Sequence, residues 1–429
     1  MRTNGKPIGA SSNPMSSRTE SGAIVSVLRR QWSRYGRALL LIAIVYMGIA
    51  AAGRLVYALP ILVSDVVPWG AIDLINRYEE VHRWFAGLPL YGAVSNADYP
   101  PASYAMLWPL LGWLSLTPAR WLWAATSVIA AGVLAYLFVR ESEADSLQQR
   151  LFAALLIFST YPTQMNILVG QLGVQVLALL VTGLVWLHTR SGRWWEDLAA
   201  SMLLLPALVK PTLSVPFFWI VLVLPGRVRP LLFVLVGYAA LTFLAATFQH
   251  DSVEILLWEW LGQTGSQVTV LEGHTNIHKW LAMAGLEVWM LPGSLVMLIA
   301  HGAWTYRNRR NDFWALMGVA ALVSRLWVHH RLYDDVLMLI PMIPLFRLAR
   351  RRGGMNGNEV LAGILLAAFW ATLHIPTWAF YDLSGTITAL LEAGQTTVWL
   401  GALVFLVVQA SRDRGVSGQR EEKSGGYAA

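Results

Sequence analysis

Apolar runs of 15 to 20 residues recur along this chain from residue 38 to residue 409. Wound as a helix rising ~1.5 Å per residue, a run of that length matches the hydrocarbon core of a bilayer, roughly 30 Å thick. Charge is correspondingly scarce, at 13% of residues, and mean hydropathy is +0.51. The 21 tryptophans fit the same setting, since Trp favours the membrane–water interface. The chain therefore reads as an all-α polytopic integral membrane protein.

Twelve spans are expected, at 38–58, 119–139, 151–168, 172–188, 198–209, 212–224, 231–249, 286–304, 313–328, 335–347, 358–374 and 390–410. The segment 102–116, "ASYAMLWPLLGWLSL", is apolar but short and carries Pro109 near its middle. Counted as a span, it scatters the basic residues over both faces. Counted as a re-entrant or juxtamembrane helix, it leaves 24 of the 32 Lys and Arg residues on the side that holds both termini. The positive-inside rule then makes that side cytoplasmic and predicts twelve spans plus one re-entrant element.

The net charge of +7 is accounted for by this topology signal in short loops, so nucleic acid is not an expected partner. The absence of cysteine excludes disulfides, thiol catalysis and cysteine-held metals. Residues 1–28 and 412–429 read as disordered cytoplasmic tails around a single unit at 29–411. The first apolar run lacks the small-residue site of a cleaved signal.

This topology gathers the unusual polar features on one face. That face holds a long first loop at 59–118, Gly170-Gln171, Lys210-Pro211, the loop 250–285, and the cluster in "SRLWVHHRLYDDVLMLIPM", residues 324–342. Residues 71–86, "AIDLINRYEEVHRWFA", place apolar side chains at 71, 74, 75, 78, 81 and 85. The spacing predicts a helix lying flat at the interface with Asp73, Asn76, Arg77, Glu80 and Arg83 on its polar face, and Asp73 able to pair with Arg77. Pro100 and Pro101 fix an extended approach to the next helix. A charge as isolated between apolar spans as Lys210 is expensive to leave idle.

Three obligate charges, Arg331, Asp334 and Asp335, would together cost on the order of 8–10 kcal/mol at mid-bilayer, so they belong at the extracytoplasmic edge. Helical spacing there pairs His330 with Asp334 and Arg331 with Asp335, and sets His329 beside Tyr333. His274 and His278 stand four residues apart near Glu272, but with no third ligand at clear spacing no metal is expected. There is no glycine-rich phosphate loop or Walker motif, and no soluble nucleotide-sugar domain.

Six segments in order, "DLINRY", "GLPLY", "DYPPASYAMLWPL", "ILVGQLGVQVLALL", "ALVKPTLSVPF" and "HHRLYDDVLMLIP", resemble glycosyltransferase family 87 over roughly residues 38–410. That family comprises polyprenol-phosphate-mannose-dependent mannosyltransferases of the GT-C fold. The resemblance implies a membrane enzyme that passes a sugar from a polyprenyl phosphate to a hydroxyl on the extracytoplasmic face, inverting the anomeric centre. A catalytic Asp in the first loop matches Asp73, although Leu74 and "RYEE" follow it where the family often has Phe and a Tyr-rich run.

Such a transfer needs a base for the acceptor hydroxyl and a cation for the leaving phosphate. Asp73 is the expected base, with Asp98 as the substitute. Lys210, Arg331 and His329 or His330 are expected on the phosphate, with Asp334 orienting the histidine. Asn166 and Gln171 are expected on sugar hydroxyls, and Arg77, Tyr99, His274, His278 and Tyr333 complete the expected substrate contacts. No cofactor is expected. The expected partners are the polyprenyl-phosphate sugar, a lipid or glycan acceptor and the bilayer, which for a cell-envelope glycan is a bacterial-type plasma membrane. A secondary transporter and a non-enzymatic lipid-handling protein are the competing readings. The transporter lacks support from paired halves, because no internal repeat is visible.

Overall fold

The computed structural model describes residues 16–190, 192–224, 228–267, 276–351, 357–376, 379 and 383–425; for 16–35, 265–267 and 413–425 it describes the backbone alone. Every regular element among the described residues is helical. In chain order the α-helices are α1 (Ser16–Val63), α2 (Ile72–Phe85), α3 (Pro101–Leu111), α4 (Leu116–Glu141), α5 (Leu147–Phe158) and α6 (Tyr161–Val169). Then come α7 (Gly173–Thr189), α8 (Trp194–Ala207), α9 (Pro211–Ser214), α10 (Phe218–Val223), α11 (Val228–Ala246) and α12 (Val253–Gln267). The last six are α13 (Ile277–Met283), α14 (Met290–Arg307), α15 (Phe313–Leu326), α16 (Leu339–Ala349), α17 (Gly357–Thr372) and α18 (Gly385–Gly425).

Five stretches are long and apolar enough to cross a bilayer: 36–63, 116–141, 228–246, 287–307 and 385–412. A sixth results if α5 and α6, bent by 41° at the break between them, act together. Each of the twelve expected runs coincides with a helix or a broken pair. Several are shorter than a bilayer, among them α7, α15 and α17, at roughly 20–25 Å by helical rise. Of these, α7 and α15 are buried, whereas α17 buries only Ala362, Phe369 and Thr372. Val174, Leu177 and Leu184 of α7 and Met317, Ala320 and Leu322 of α15 are almost wholly enclosed, whereas α1 and α11 leave most of their surface outward. The segment 102–116 contains only the eleven-residue α3, with Pro101 at its first turn, and packs against α11 and α2.

Helix bounds depart from expectation at both ends of the chain. No proline occurs between Pro14 and Pro60 or after Pro376, so no such breaker ends α1 or α18 at its apolar core. The helical backbone runs from Ser16 and on to Gly425, into both segments expected as disordered tails.

Loops expected on one side meet one another. Arg347 pairs with Glu143 and, at 3.3 Å, with Asp312, while Arg350 pairs with Asp145 at 2.6 Å. At the other end, Trp84 Nε1 donates to the Ala245 carbonyl at 2.8 Å and Trp260 Nε1 to the Asp98 carbonyl at 2.9 Å. Through these contacts α2 is held to the end of α11, and α12 to the loop before α3.

Candidate active site

The helix α2 begins after Ala71, whose backbone is left-handed at φ 56°, and the Ala71 N–H donates to the Leu168 carbonyl at 2.9 Å. That bond ties the start of α2 to the end of α6. There Gly170, also left-handed at φ 72°, turns the chain towards α7. A methyl at Gly170 would stand 2.5 Å from Leu74 Cβ, so glycine alone permits this approach. The result sets Asp73 beside Gln171, 98 residues away. Gln171 Nε2 donates to Asp73 Oδ2 at 3.0 Å and to the Tyr333 hydroxyl at 2.9 Å, and its Oε1 accepts from the Leu172 N–H.

Asp73 is half-buried. Burial pushes its carboxyl above the ordinary range, while the Gln171 hydrogen bond and the nearby charges of Arg77, Arg331 and Lys210 pull it back. Those charges surround it from α2, from the turn after α15 and from the turn after α8. Arg331 is the exposed one.

Lys210 is buried and not idle: its Nζ lies 2.6 Å from Asp334 Oδ1 and 4.9 Å from the centre of the Tyr333 ring. Burial alone would raise the Asp334 carboxyl, but Lys210 and His330 outweigh it and hold the group well below the ordinary carboxylate range. His330 Nδ1 stands 3.2 Å from Asp334 Oδ2 and its Nε2 2.7 Å from the Ser324 carbonyl. With both nitrogens engaged and the ring buried, His330 braces the carboxylate and has nothing left for a phosphate. His329 is half-buried beside it, and burial first, then His330 and the neighbouring arginines, lower its pKa to about 4.

The expected α-helical spacing fails at this cluster. Residues 332–338 form a 3-10 helix, with Arg331 extended before it. The His330–Asp334 pair survives, but Arg331 does not reach Asp335; its backbone N–H caps Asp334 at 3.3 Å instead. Asp335 pairs with Arg325 at 2.5 Å and accepts from Gln395 of α18. Arg325, a charge at the end of an apolar run, was itself the sequence signal for a buried partner.

The first-loop helix also differs from the flat interfacial element expected. Arg77 and Glu80 are buried, not turned to water. Arg77 bonds Glu80 at 2.8 Å, Asp98 at 3.1 Å and the Asn96 carbonyl at 2.8 Å, and lies over the Tyr99 ring at 4.2 Å. It does not pair with Asp73. The network staples α2 to the 96–99 stretch of the loop, which makes Arg77 and Tyr99 supports rather than surface contacts. Glu80, three residues from Arg77, was legible at i, i+3 spacing.

Asn166 donates to the Pro162 carbonyl at 2.9 Å and the Tyr333 carbonyl at 2.6 Å, so both amide hydrogens clamp backbone. His278 Nε2 meets Ser294 Oγ at 2.7 Å, and Ser294 in turn donates to the Trp327 carbonyl, tying α13 and α14 to the end of α15. His274 lies outside the described residues. Among the described residues no group of three His, Cys, Asp or Glu side chains is arranged to hold a metal ion. Asp73, Gln171, Lys210, Arg331, Tyr333 and Asp334 thus come together; Arg77 and Tyr99 stand behind them, and His278 straps helices beside them.

Next to this constellation lies a half-open apolar groove of about 390 Å³ between α3, α4, α7 and α8. Leu172 and Val209, neighbours of Gln171 and Lys210, line it, together with Leu107, Trp123 and Leu179.

A family model described as Glycosyltransferase family 87 matches residues 98–328, more than half of the chain. No curated protein and no solved structure matches it.

Proposed function

The chain belongs to glycosyltransferase family 87, and from that premise we propose that it moves a sugar from a polyprenyl-phosphate donor to a hydroxyl of a lipid or glycan acceptor, with inversion. In this reading Asp73 takes the proton of the attacking hydroxyl. Its raised pKa makes it a stronger base than an ordinary carboxylate, and its exposed edge leaves room for an acceptor. Gln171 holds it in place through one amide nitrogen shared with Tyr333.

The leaving phosphate is met by Arg331, exposed on the cleft, and by Lys210, whose charge Asp334 sets and partly offsets. The prenyl chain lies in the apolar groove that begins at Leu172 and Val209. One observation carries the reading: a half-buried carboxylate and two cations from distant parts of the chain converge on Gln171 and Tyr333, at the mouth of a lipid-sized apolar groove.

The short buried helices and the single-sided clustering of polar loops support twelve crossings with α3 as a juxtamembrane element. In this reading, which the bias of basic residues supports, both termini are cytoplasmic and the site faces outward from a bacterial-type plasma membrane. Mannose is the first sugar to test. Purified protein is incubated with polyprenyl-phosphate mannose, glucose and arabinofuranose in turn, with membrane lipid extract as acceptor, and glycosylated product is measured. Product from the mannosyl donor alone is expected. No product from any lipid-linked donor removes the reading.

A further inference from the structure

Helix α1 carries Tyr46, Ala50 and Arg54 at i, i+4 and i+8, on one face of a membrane-spanning segment. Ala50 leaves a notch between the two larger side chains. Across it stand Tyr161, at the start of α6, and Trp370 and His374, at the end of α17. The Arg54 guanidinium lies over the Tyr161 ring at 4.2 Å; Tyr46 is 5.6 Å from Trp370 and 5.4 Å from His374, centre to centre.

Two buried polar atoms in this notch have no hydrogen-bond partner among the described residues: Arg54 Nη1 and Trp370 Nε1. Buried polar groups are usually paired, so two unpaired donors, one of them cationic, around the same Tyr46 face point to a missing acceptor ligand. Arg54 also has no carboxylate within ion-pair distance among the described residues, and an idle guanidinium within a span is expensive to keep. His374 Nδ1 lies 2.8 Å from the Trp370 carbonyl, and the Ser159 carbonyl also faces the ring, so both backbone groups hold it in place. The notch therefore offers a cation and a neutral N–H donor. The edge of α1 beside it is open, for Gly53 has no neighbour near the position a Cβ would take.

We infer that this notch binds the phosphate of a membrane lipid, with Arg54 and Trp370 on the phosphate oxygens. A soluble anion has no route to a site within a span; a lipid reaches it laterally. The phosphate belongs either to a glycerophospholipid or to a polyprenyl carrier. The inference stands apart from the proposed transfer, since the notch shares no residue with the Asp73 site.

The test is a titration of the purified full-length chain, in a neutral detergent, by native mass spectrometry. The probes are phosphatidylglycerol, a polyprenyl monophosphate, and dioleoylglycerol as the phosphate-free control. One phosphate lipid is expected to bind, with Arg54→Gln weakening it by roughly tenfold to a hundredfold, the range for one charge-assisted hydrogen bond. Arg54→Lys should retain most of the affinity. Trp370→Phe, which removes only the N–H, should give a smaller loss in a chain whose fold is unchanged. Arg54-dependent binding of phosphatidylglycerol assigns the site to glycerophospholipid, and of the prenyl phosphate alone to the carrier. Equal binding of dioleoylglycerol, or binding of both phosphate lipids that neither Arg54→Gln nor Trp370→Phe alters, overturns the inference.

Discussion

Lys210 and Asp334 are 124 residues apart, buried, and joined at 2.6 Å, which makes them the most direct place to separate structural from chemical roles. Lys210→Met leaves Asp334 with only His330 and the Arg331 N–H, and Asp334→Leu leaves an ammonium facing the Tyr333 ring without a counter-ion. Breaking a buried pair from one side costs about 3–5 kcal/mol, because the remaining charge is uncompensated, whereas replacing both partners by apolar residues is often nearly neutral. Each single variant should therefore lose about 3–5 kcal/mol in chemical denaturation from detergent. The Lys210→Met/Asp334→Leu double should lose far less than the sum, with a coupling of about 3 kcal/mol. Transfer activity should not return with stability, since the double variant lacks the ammonium proposed for the donor phosphate. Additive losses would refute the pairing, and a stable double variant with full transfer would remove Lys210 from the chemistry.

The remaining predictions address neighbouring parts of the site. As a base Asp73 works ionised, so kcat/KM for transfer should fall as pH drops through its raised pKa. Gln171→Leu removes a hydrogen bond that lowers that pKa, so the acid limb should move to higher pH; a limb that stays in place argues for another base. Gly170→Ala forces a side chain into the left-handed region, at about 1–2 kcal/mol, and against Leu74. It should lower kcat by displacing α2, with partial recovery when Leu74→Ala is added; normal kcat in Gly170→Ala would show that the approach is not needed. Arg331→Gln, at an exposed position, should shift stability by no more than about 0.5 kcal/mol and raise the donor KM about tenfold. An unchanged donor KM would leave the phosphate to other groups.

Hydropathy makes the helical membrane class legible, and the distribution of arginines sorts the loops into two sets that do meet within themselves. Asp73, Gln171, Lys210 and the 329–334 cluster stand out in sequence because polar groups at the ends of apolar runs need a reason. Their partners do not stand out. Spacing along a helix reports only neighbours three or four residues away, so it finds His330–Asp334 but not Lys210–Asp334 or Arg325–Asp335. It also misassigns Arg331 to Asp335, because residues 332–338 wind as a 3-10 helix. The amphipathic pattern of α2 is misleading for a related reason. Arg77 and Glu80 mark a polar face, but Asp98 and Tyr99 from the same loop cover it, so charge here accompanies burial.

The central claim is that Asp73 is the base of a transfer from a polyprenyl-phosphate sugar. Purified wild-type and Asp73→Asn proteins, each given radiolabelled polyprenyl-phosphate mannose and membrane lipid acceptor, test it in one measurement of transfer rate alongside donor binding. Asp73→Asn is expected to bind donor as the wild type does and to transfer about 10²- to 10⁴-fold more slowly, the range for loss of a positioned general base. Transfer at the wild-type rate would contradict the claim.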